Sequence, residues 1–273
     1  MPPKLGIIAG QGELPARIIQ ACRDSGRDFF VVAIEGQADP ESIVGTPHIW
    51  SRLGAADTAF TKLREVAAEE IVLAGAVRRP SLGALRPDMR TARFLARLAR
   101  AALGDNTLLS AVVREFEDAG FRVVGPDEIL GSCVTEAKRY GRAEPDSQAK
   151  ADIEIGIRMA RALGALDIGQ AVVVQQGVVL GVEAIEGTDA LIARCMALRR
   201  DGAGGVLIKL KKPGQEHRVD LPTIGPQTVS AAAKAGLRGI AIEAGGSLIL
   251  DPAAVAAKAD ETGLFIIGIE VPV

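Results

Sequence analysis

Short apolar runs that alternate with amphipathic helical segments constrain the fold of this chain more than any other feature of its sequence. The first run, Lys4 to Ala9, is closed by Gly10-Gln11-Gly12, and a helical pattern then extends from about Pro15 to Ser25. Gly26 follows as a helix stop, and Phe29 to Ile34 has the pattern of a second buried strand. A strand, a helix and a strand in this order predict the βαβ unit of a parallel sheet.

The same alternation continues along the rest of the chain. Further strands are predicted at 71–76, 121–124, 171–176, 178–185, 205–210, 239–243, 247–250 and 264–269, and helices at 59–68, within 88–119, and at 153–163, 190–200 and 228–235. The stretch 140–152 is polar, lacks apolar periodicity and is the predicted linker. We therefore expect an α/β fold with two domains and a ligand cleft between them. These are an N-terminal Rossmann-like βα domain at 1–139 and a C-terminal mixed α/β catalytic domain at 153–273.

The composition excludes several classes of protein. Hydrophobic residues make up 48% and charged residues 24% of the chain, as in folded globular proteins. A net charge of −2 and an aromatic content of 3% leave little with which to attract and stack a nucleic acid. Because there is no signal peptide and no apolar run of about eighteen residues, we expect a soluble, cytoplasmic protein.

The cysteines and histidines do not form the pattern of a zinc site. Cys22, Cys133 and Cys195 lie far apart and are expected to be reduced thiols in the core. His48 and His217 cannot build a two-histidine metal centre. Any metal would be held by oxygen atoms, which favours magnesium or manganese.

The segment from Gly204 to Thr228 carries the strongest chemical signal. An apolar strand ends in Lys209, Lys211 and Lys212, and after a turn the chain continues through Arg218 and Asp220 to a helix that begins near Pro226. Cations and a helix N-terminus suit a polyphosphate. Asp220 lies between apolar neighbours, where an ionised carboxylate could orient water or bind a metal, or only pair with Arg218 or a lysine.

Three acids at a predicted strand-to-helix turn form a second candidate. Glu183, Glu186 and Asp189 lie within seven residues and could hold a hard divalent cation. The alternative is a helix N-terminus, with Thr188 or Asp189 as the cap and the acids favoured by the helix dipole.

Two features of the first half have weaker patterns. The Gly10-Gln11-Gly12 turn could bind a phosphate, but Pro15 stands where the dinucleotide fingerprint requires a third glycine. The turn could equally be a tight connection without a ligand. At Gly104-Asp105-Asn106, either polar residue could cap the next helix or touch substrate.

Seven arginines lie between Ala76 and Arg100, and some of them form a helical stripe at Arg90, Arg93, Arg97 and Arg100. The stripe could face anionic lipid headgroups or a nucleotide, because guanidinium groups match phosphate oxygens. A solvated surface face is the alternative.

At the level of motifs, the sequence resembles the UDP-2,3-diacylglucosamine pyrophosphatases of the LpxI type, which act in bacterial lipid A biosynthesis. The resemblance covers nearly the whole chain and rests on AGQGELP, GDNTLL, QQGVVLGVEAIEGTD, GGVLIKLKKPGQEHRVDLPTIGP and IAIEAGGSLILD. It implies magnesium-dependent hydrolysis of UDP-2,3-diacylglucosamine to 2,3-diacylglucosamine 1-phosphate (lipid X) and UMP, with water attacking the β-phosphorus. The family's essential aspartate, in its RxDLPTIG motif, falls on Asp220.

The residues and the resemblance together give the predicted site. Asp220, Lys209 and Lys211 are the catalytic candidates, and Asp220, Glu183, Glu186 and Asp189 are the candidate metal ligands. The candidate substrate-binding residues are Gly10, Gly12, Asp105, Asn106, Gln175, Lys212, Gln215, Arg218, Thr223, Gly225 and Thr228. The expected partners are the diacylated UDP-sugar and lipid X, with peripheral contact at the cytoplasmic face of the inner membrane; a homodimer is one assembly that the sequence allows.

Two other functions compete with the hydrolase. A nicotinamide-dependent oxidoreductase would use Gly10, Gly12 and Glu35, but Pro15 and the lack of a Tyr/Lys or His catalytic pair count against it. A non-catalytic lipid or nucleotide carrier could use the same scaffold and would release its ligand uncleaved.

Overall fold

The computed structural model describes residues 2–78, 85–98 and 105–271, with the side chains of 105–107 excepted. The chain forms two compact units. Unit 1 contains Met1–Gly131 together with Glu216–Asp220, and unit 2 contains Ser132–Gln215 and Leu221–Val273. A short segment from the second half of the sequence is therefore part of unit 1.

Unit 1 is built on a five-stranded parallel sheet with the strand order β3-β2-β1-β4-β5. Its strands are β1 (Leu5–Ala9), β2 (Phe29–Ile34), β3 (His48–Ser51), β4 (Glu70–Ala74) and β5 (Arg122–Val123). Its helices are α1 (Leu14–Ser25), α2 (Pro40–Ile43), α3 (Ala56–Glu65), α4 (Met89–Leu98), α5 (Asp105–Asp118) and α6 (Pro126–Ile129). This strand order is that of a Rossmann-like half, as predicted.

The core of unit 1 explains why these segments fold as they do. Central strand β1 is a run of apolar residues and can therefore be buried on both faces of the sheet. Its Ile7 is paired with Val31 on one side and Val72 on the other. Phe60 of α3 stacks on Phe116 of α5 with ring centroids 4.6 Å apart. Burying such large rings against the sheet is the main favourable term that fixes both helices.

Unit 2 contains a six-stranded mixed sheet with the order β6-β13-β11-β9-β7-β8 and a separate parallel pair, β10 and β12. Its strands are β6 (Arg139–Tyr140), β7 (Ala171–Gln175), β8 (Val178–Val182), β9 (Val206–Lys209), β10 (Thr223–Ile224), β11 (Gly239–Glu243), β12 (Leu248–Ile249) and β13 (Phe265–Ile269). Its helices are α7 (Ser147–Ala165), α8 (Thr188–Cys195), α9 (Pro226–Lys234) and α10 (Pro252–Thr262). The predicted α/β class is confirmed.

A two-residue turn joins β7 and β8, which pair as an antiparallel hairpin. Gln176 and Gly177 both have positive φ angles, 51° and 78°, as hairpin turns of this length require. Their backbone amides donate to the carboxylate of the buried Asp152 at 3.0 and 2.7 Å. A buried acid on α7 therefore fixes the hairpin.

The predicted linker 140–152 contains regular structure. Tyr140 ends β6, and α7 begins at Ser147 and not near Ile153. Asp146 caps α7 by accepting from the Ala149 amide at 2.8 Å. The part of α7 before Ile153 looked irregular in the sequence because its buried residues, Ala149 and Asp152, are not large apolar residues.

All three cysteines are free and buried, which confirms the prediction of core thiols. Burial raises the pKa of Cys22 and of Cys195, so both thiols are poor nucleophiles near neutral pH. None of the helices in the described ranges is long and apolar enough to cross a membrane.

Candidate active site

The predicted lysine cluster lies where β9 ends, at the carboxyl edge of the unit 2 sheet. Lys209 is the last residue of β9 and is 7% exposed. Its ammonium donates to the Thr223 carbonyl at 2.9 Å, which ties β9 to the start of β10. Burying an ammonium is costly unless it is hydrogen-bonded, so this contact holds the charge in place.

Lys211 differs from its neighbours because only its backbone is fixed. The Lys211 amide donates to Oε2 of Glu243 at 2.8 Å. Glu243 is the last residue of β11, which pairs in parallel with β9, so both strands end at the same edge. Within the described parts of the chain, the Lys211 ammonium has no hydrogen bond or ion pair. This half-buried cation is therefore available to an anion.

Lys212 and Gln215 instead close the loop that follows β9. The Lys212 ammonium, 8% exposed as a residue, pairs with Oδ1 of Asp167 at 2.8 Å. The Lys212 amide donates to Oε1 of the buried Gln215 at 2.8 Å. These contacts give both residues a structural role, and the geometry does not support the prediction that they bind substrate.

The short elbow after Asp220 belongs to unit 2 and leads into α9. The Thr223 hydroxyl donates to the Leu221 carbonyl at 2.9 Å, and the Gly225 amide donates to the Thr228 hydroxyl at 3.3 Å. No side chain caps the first turn of α9, and that turn contains no acid. The amides of Gln227 and Thr228 thus lie at the positive end of a helix dipole, a setting that favours an anion.

Asp220 lies in the part of unit 1 that comes from the second half of the sequence. The amides of Val219 and Asp220 both donate to the Glu216 carbonyl, at 3.2 and 3.3 Å, and form a compact turn. Val219 packs against the aromatic core of unit 1. Asp220 is half-buried, as its apolar neighbours predicted.

Arg218 in the same turn is occupied by two carboxylates. Its Nε and Nη2 donate to the two carboxylate oxygens of Glu216, each at 2.8 Å, and its Nη1 donates to Oε1 of Glu117 at 2.6 Å. Hydrogen bonding to Arg218 lowers the pKa of Glu216, and hydrogen bonding to Glu216 raises the pKa of Arg218. In this structure both partners of the Arg218 guanidinium are protein carboxylates, and the predicted role of Arg218 in substrate binding stays a prediction.

The three acids predicted as metal ligands lie around the N-terminus of α8, where Gly187 and not Thr188 or Asp189 is the N-cap residue. Glu183 is buried and accepts from the Gln170 amide at 3.2 Å and the Thr188 hydroxyl at 2.9 Å. Glu186 accepts from the Ala184 amide and pairs with Arg194 at 2.9 Å, and Asp189 is exposed in the first turn of α8. Hydrogen bonding from its own amide and from Arg194 lowers the pKa of Glu186.

In the portions of the chain that the structure covers, no three acidic, His or Cys side chains are arranged to hold a metal ion. The residues described therefore do not fit a magnesium site made by the protein alone.

Gln175 and Gly10 also have structural explanations. The side chain of Gln175 is fully buried, and its Nε2 donates to the carbonyls of Arg200 and Ala203 at 2.9 and 2.8 Å. Its Oε1 accepts from the backbone amide of Arg200 at 2.9 Å, so the side chain fixes the loop before β9. A Cβ on Gly10 would stand 2.5 Å from the Ala76 carbonyl oxygen, so the turn after β1 needs glycine for close packing. Gly12 has a φ of 92° and open space around it.

The amino-acid sequence belongs to a known family along nearly its whole length. Residues 4–133 match the LpxI N-terminal domain, and residues 136–267 match the LpxI C-terminal domain. The chain belongs to the LpxI family. It is 43% identical, over 98% of both chains, to a protein of Caulobacter vibrioides named UDP-2,3-diacylglucosamine pyrophosphatase LpxI.

Two solved structures that were matched are much less similar to this LpxI-family chain. A biotin carboxylase domain of a thermophilic 2-oxoglutarate carboxylase is 15% identical with a TM-score of 0.23, covering 63% of this chain and 34% of that one. Carboxyaminoimidazole ribonucleotide synthase from Aspergillus clavatus is 11% identical with a TM-score of 0.24, covering 72% and 44%. We draw no conclusion from scores this low.

Two further acids of this LpxI-family chain were not among the predicted site residues. Glu243 fixes the Lys211 backbone, and its place at the end of a buried strand was the available signal. Asp127 follows β5 in α6, and its buried Oδ1 has no hydrogen-bond partner among the residues that the structure describes. Such an acceptor is normally satisfied by a donor from water or a ligand.

Two of the predicted features reach the limit of what the structure describes. Helix α5 begins at Asp105, but the side chains of Asp105 and Asn106 lie outside the described residues. In the arginine stripe, Arg90 and Arg97 both pair with Glu115, and Arg90 also lies 4.2 Å above the Phe60 ring. Arg93 is exposed, and Arg100 lies outside the described residues.

Proposed function

We propose that this protein hydrolyses the diphosphate of UDP-2,3-diacylglucosamine to 2,3-diacylglucosamine 1-phosphate and UMP, a step of lipid A biosynthesis. The observation that carries the proposal is the 43% identity over 98% of both chains to a relative named for this substrate. The match includes both LpxI domains and not only a shared fold. The proposal therefore extends to the whole chain.

The proposed chemistry uses three residues, Asp220, Lys211 and Lys209. Asp220 orients a water molecule and accepts its proton as the water oxygen attacks the β-phosphorus. The bond between this phosphorus and the bridging oxygen breaks, and UMP leaves with that oxygen. The ammonium of Lys211, which has no partner among the described residues, stabilises charge on the diphosphate as the bond breaks. Lys209, held by Thr223, adds positive charge at the same strand end.

Magnesium dependence remains part of the proposal as a property of the reaction. An ion held by one or two carboxylates and by substrate phosphate oxygens needs no cluster of three protein acids. We expect chelation with EDTA to abolish turnover and added magnesium to restore it. Unchanged turnover in EDTA would remove magnesium from the proposal.

The decisive assay incubates purified protein with UDP-2,3-diacylglucosamine in water enriched in oxygen-18. We expect UMP and the sugar 1-phosphate in equal amounts, with the label in the sugar 1-phosphate. Label in UMP would show attack at the α-phosphorus and would overturn the proposed mechanism. No cleavage would overturn the proposed function and would favour a carrier, whereas tight NADH binding in a fluorescence titration would favour an oxidoreductase.

Asp220→Ala tests the proposed base. We expect kcat to fall by about 10²–10⁴-fold, which is the usual contribution of a general base, while substrate still binds. Asp24→Ala removes an exposed acid of unit 1 and should leave kcat unchanged. Near-normal turnover of Asp220→Ala would exclude Asp220 as the base.

We also infer peripheral contact with an anionic membrane surface, because a diacylated substrate resides in the bilayer. With Arg90 and Arg97 paired to Glu115, the exposed Arg93 is the member of the stripe with no protein partner in the described ranges. Arg93→Glu should weaken flotation with vesicles of phosphatidylglycerol relative to Arg64→Glu on α3. Equal flotation of the wild type and both variants would exclude this contact.

A further inference from the structure

The turn that carries Asp220 is fixed within unit 1 by more contacts than a surface turn needs. Its backbone closes on the Glu216 carbonyl, Val219 packs against the aromatic core, and Arg218 reaches Glu117 near the end of α5. Arg218 and Glu117 lie 101 residues apart in the sequence. This ion pair therefore joins distant parts of the chain around one short turn.

The charge balance argues against Arg218 as a ligand for the diphosphate. All three guanidinium nitrogens already donate to Glu216 or Glu117. One positive charge beside two carboxylates leaves a net negative group, which would repel a phosphate. A substrate phosphate could bind Arg218 only after displacing one of these carboxylates.

The geometry instead suits a clamp on the turn, formed by the hydrogen-bonded side chains of Glu216, Arg218 and Glu117. Glu216 and Arg218 are joined by two parallel hydrogen bonds, an arrangement that restricts the orientation of both side chains. Glu117 then fixes the guanidinium to α5, and α5 is held in the core through Phe116. Asp220 follows Arg218 by two residues, so its backbone position depends on this clamp.

We propose that Arg218 and Glu117 are positioning residues that hold the Asp220 turn on helix α5 in the geometry needed for hydrolysis. The inference rests on the proposed function, since it assigns these residues a role in that reaction. A displacement of about 1 Å at a reacting group can cost roughly 10²-fold in rate. Loss of the clamp should therefore lower kcat much more than it raises KM.

The test compares Arg218→Ala, Glu117→Ala, Glu117→Gln and the double alanine variant with the wild type. We expect each alanine variant to lose about 10–100-fold in kcat, with KM within about threefold and with Tm lowered but still well above the assay temperature. The double variant should be no slower than Arg218→Ala, because partners in one interaction are not additive. Glu117→Gln keeps an acceptor and should recover much of the loss. Glu65→Ala, which removes the exposed Lys62–Glu65 pair of the same unit, is the matched control.

Each other outcome would overturn the inference. Arg218→Ala with a raised KM, an unchanged kcat and no effect of Glu117→Ala would make Arg218 a substrate ligand. Additive losses in the double variant, or losses that follow Tm in all variants, would show no shared positioning role. Because wild-type turnover is measured in the same assay, inactive wild-type protein would signal failure of the proposed function and not of the clamp.

Discussion

Three lysines that look alike in the sequence have different partners at the end of β9. Lys209 donates to the Thr223 carbonyl, Lys212 pairs with Asp167, and the Lys211 ammonium has no partner in the chain as described. A lysine already paired to a carboxylate is partly neutralised and has less to offer a diphosphate. The contacts of the three lysines, and not their positions in the sequence, therefore show which of them can best bind a diphosphate.

Adjacent substitutions should separate these roles. Lys211→Ala should lower kcat by about 10²–10³-fold, as expected when an electrostatic donor is removed, with little change in Tm. Lys212→Ala should instead lower the free energy of unfolding by about 1–3 kcal/mol, because the Asp167 carboxylate loses its hydrogen-bonded partner. Turnover and thermal unfolding of both variants test this. If Lys212→Ala were the slower enzyme at full stability, the assignment would be reversed.

Glu216 should make stability depend on pH. Hydrogen bonding to Arg218 holds the pKa of Glu216 below its ordinary value of 4.5. A carboxylate with a lowered pKa stabilises the fold fully above its unfolded pKa and loses this contribution as pH falls through the folded pKa. The Tm difference between wild type and Glu216→Gln should therefore be constant from pH 7 to about 5 and shrink below about 4.5. A difference that stays constant to pH 3 would contradict the prediction.

Helix α4 shows that contacts with a neighbouring helix can change the role that residue spacing alone indicates. Its arginine spacing indicated a single cationic stripe, but Glu115 on α5 neutralises two members, Arg90 and Arg97. The second helix could not be placed against the first from spacing alone. The glycine turn after β1 likewise has a partner that its sequence pattern did not show, because the backbones of Gln11 and Ala76 form an antiparallel bridge.

Substituting Gly10 tests whether the turn after β1 is structural. Gly10→Ala would place a methyl group 2.5 Å from a backbone oxygen and should destabilise unit 1 by about 1–3 kcal/mol. Gly131→Ala is the matched control, because nothing lies within 4 Å of its built Cβ, and its effect should stay within about 0.5 kcal/mol. Thermal unfolding of both variants gives the comparison. A stable Gly10→Ala protein with a raised KM would instead indicate a phosphate-binding turn.

At the scale of the whole chain, the sequence predicted what is local and missed what is distant. Strands β2 and β11 have their predicted bounds because apolar residues fill all of β2 and residues 239–242 of β11. Helix α10 was missed because its many alanines give weak periodicity. The pairing of Arg218 with Glu117 could not be predicted, since one sequence does not say which distant residues meet. Domains drawn as continuous spans likewise could not include Glu216–Asp220 in unit 1.

Because Glu216–Asp220 belongs to unit 1, we expect this segment to unfold locally together with the rest of unit 1 and not with unit 2. Hydrogen exchange should show the peptide that covers this segment opening together with peptides from unit 1. In Gly10→Ala, protection should fall in 60–72 and in 216–220 and be retained in 171–182. In Gly239→Ala, where a Cβ would stand 2.3 Å from the Phe265 ring in unit 2, protection should fall first in 171–182. If protection in 216–220 instead changed together with protection in unit 2 in both variants, the Asp220 turn would not depend on the core of unit 1. The pairing of Arg218 with Glu117 would then not fix the position of this turn.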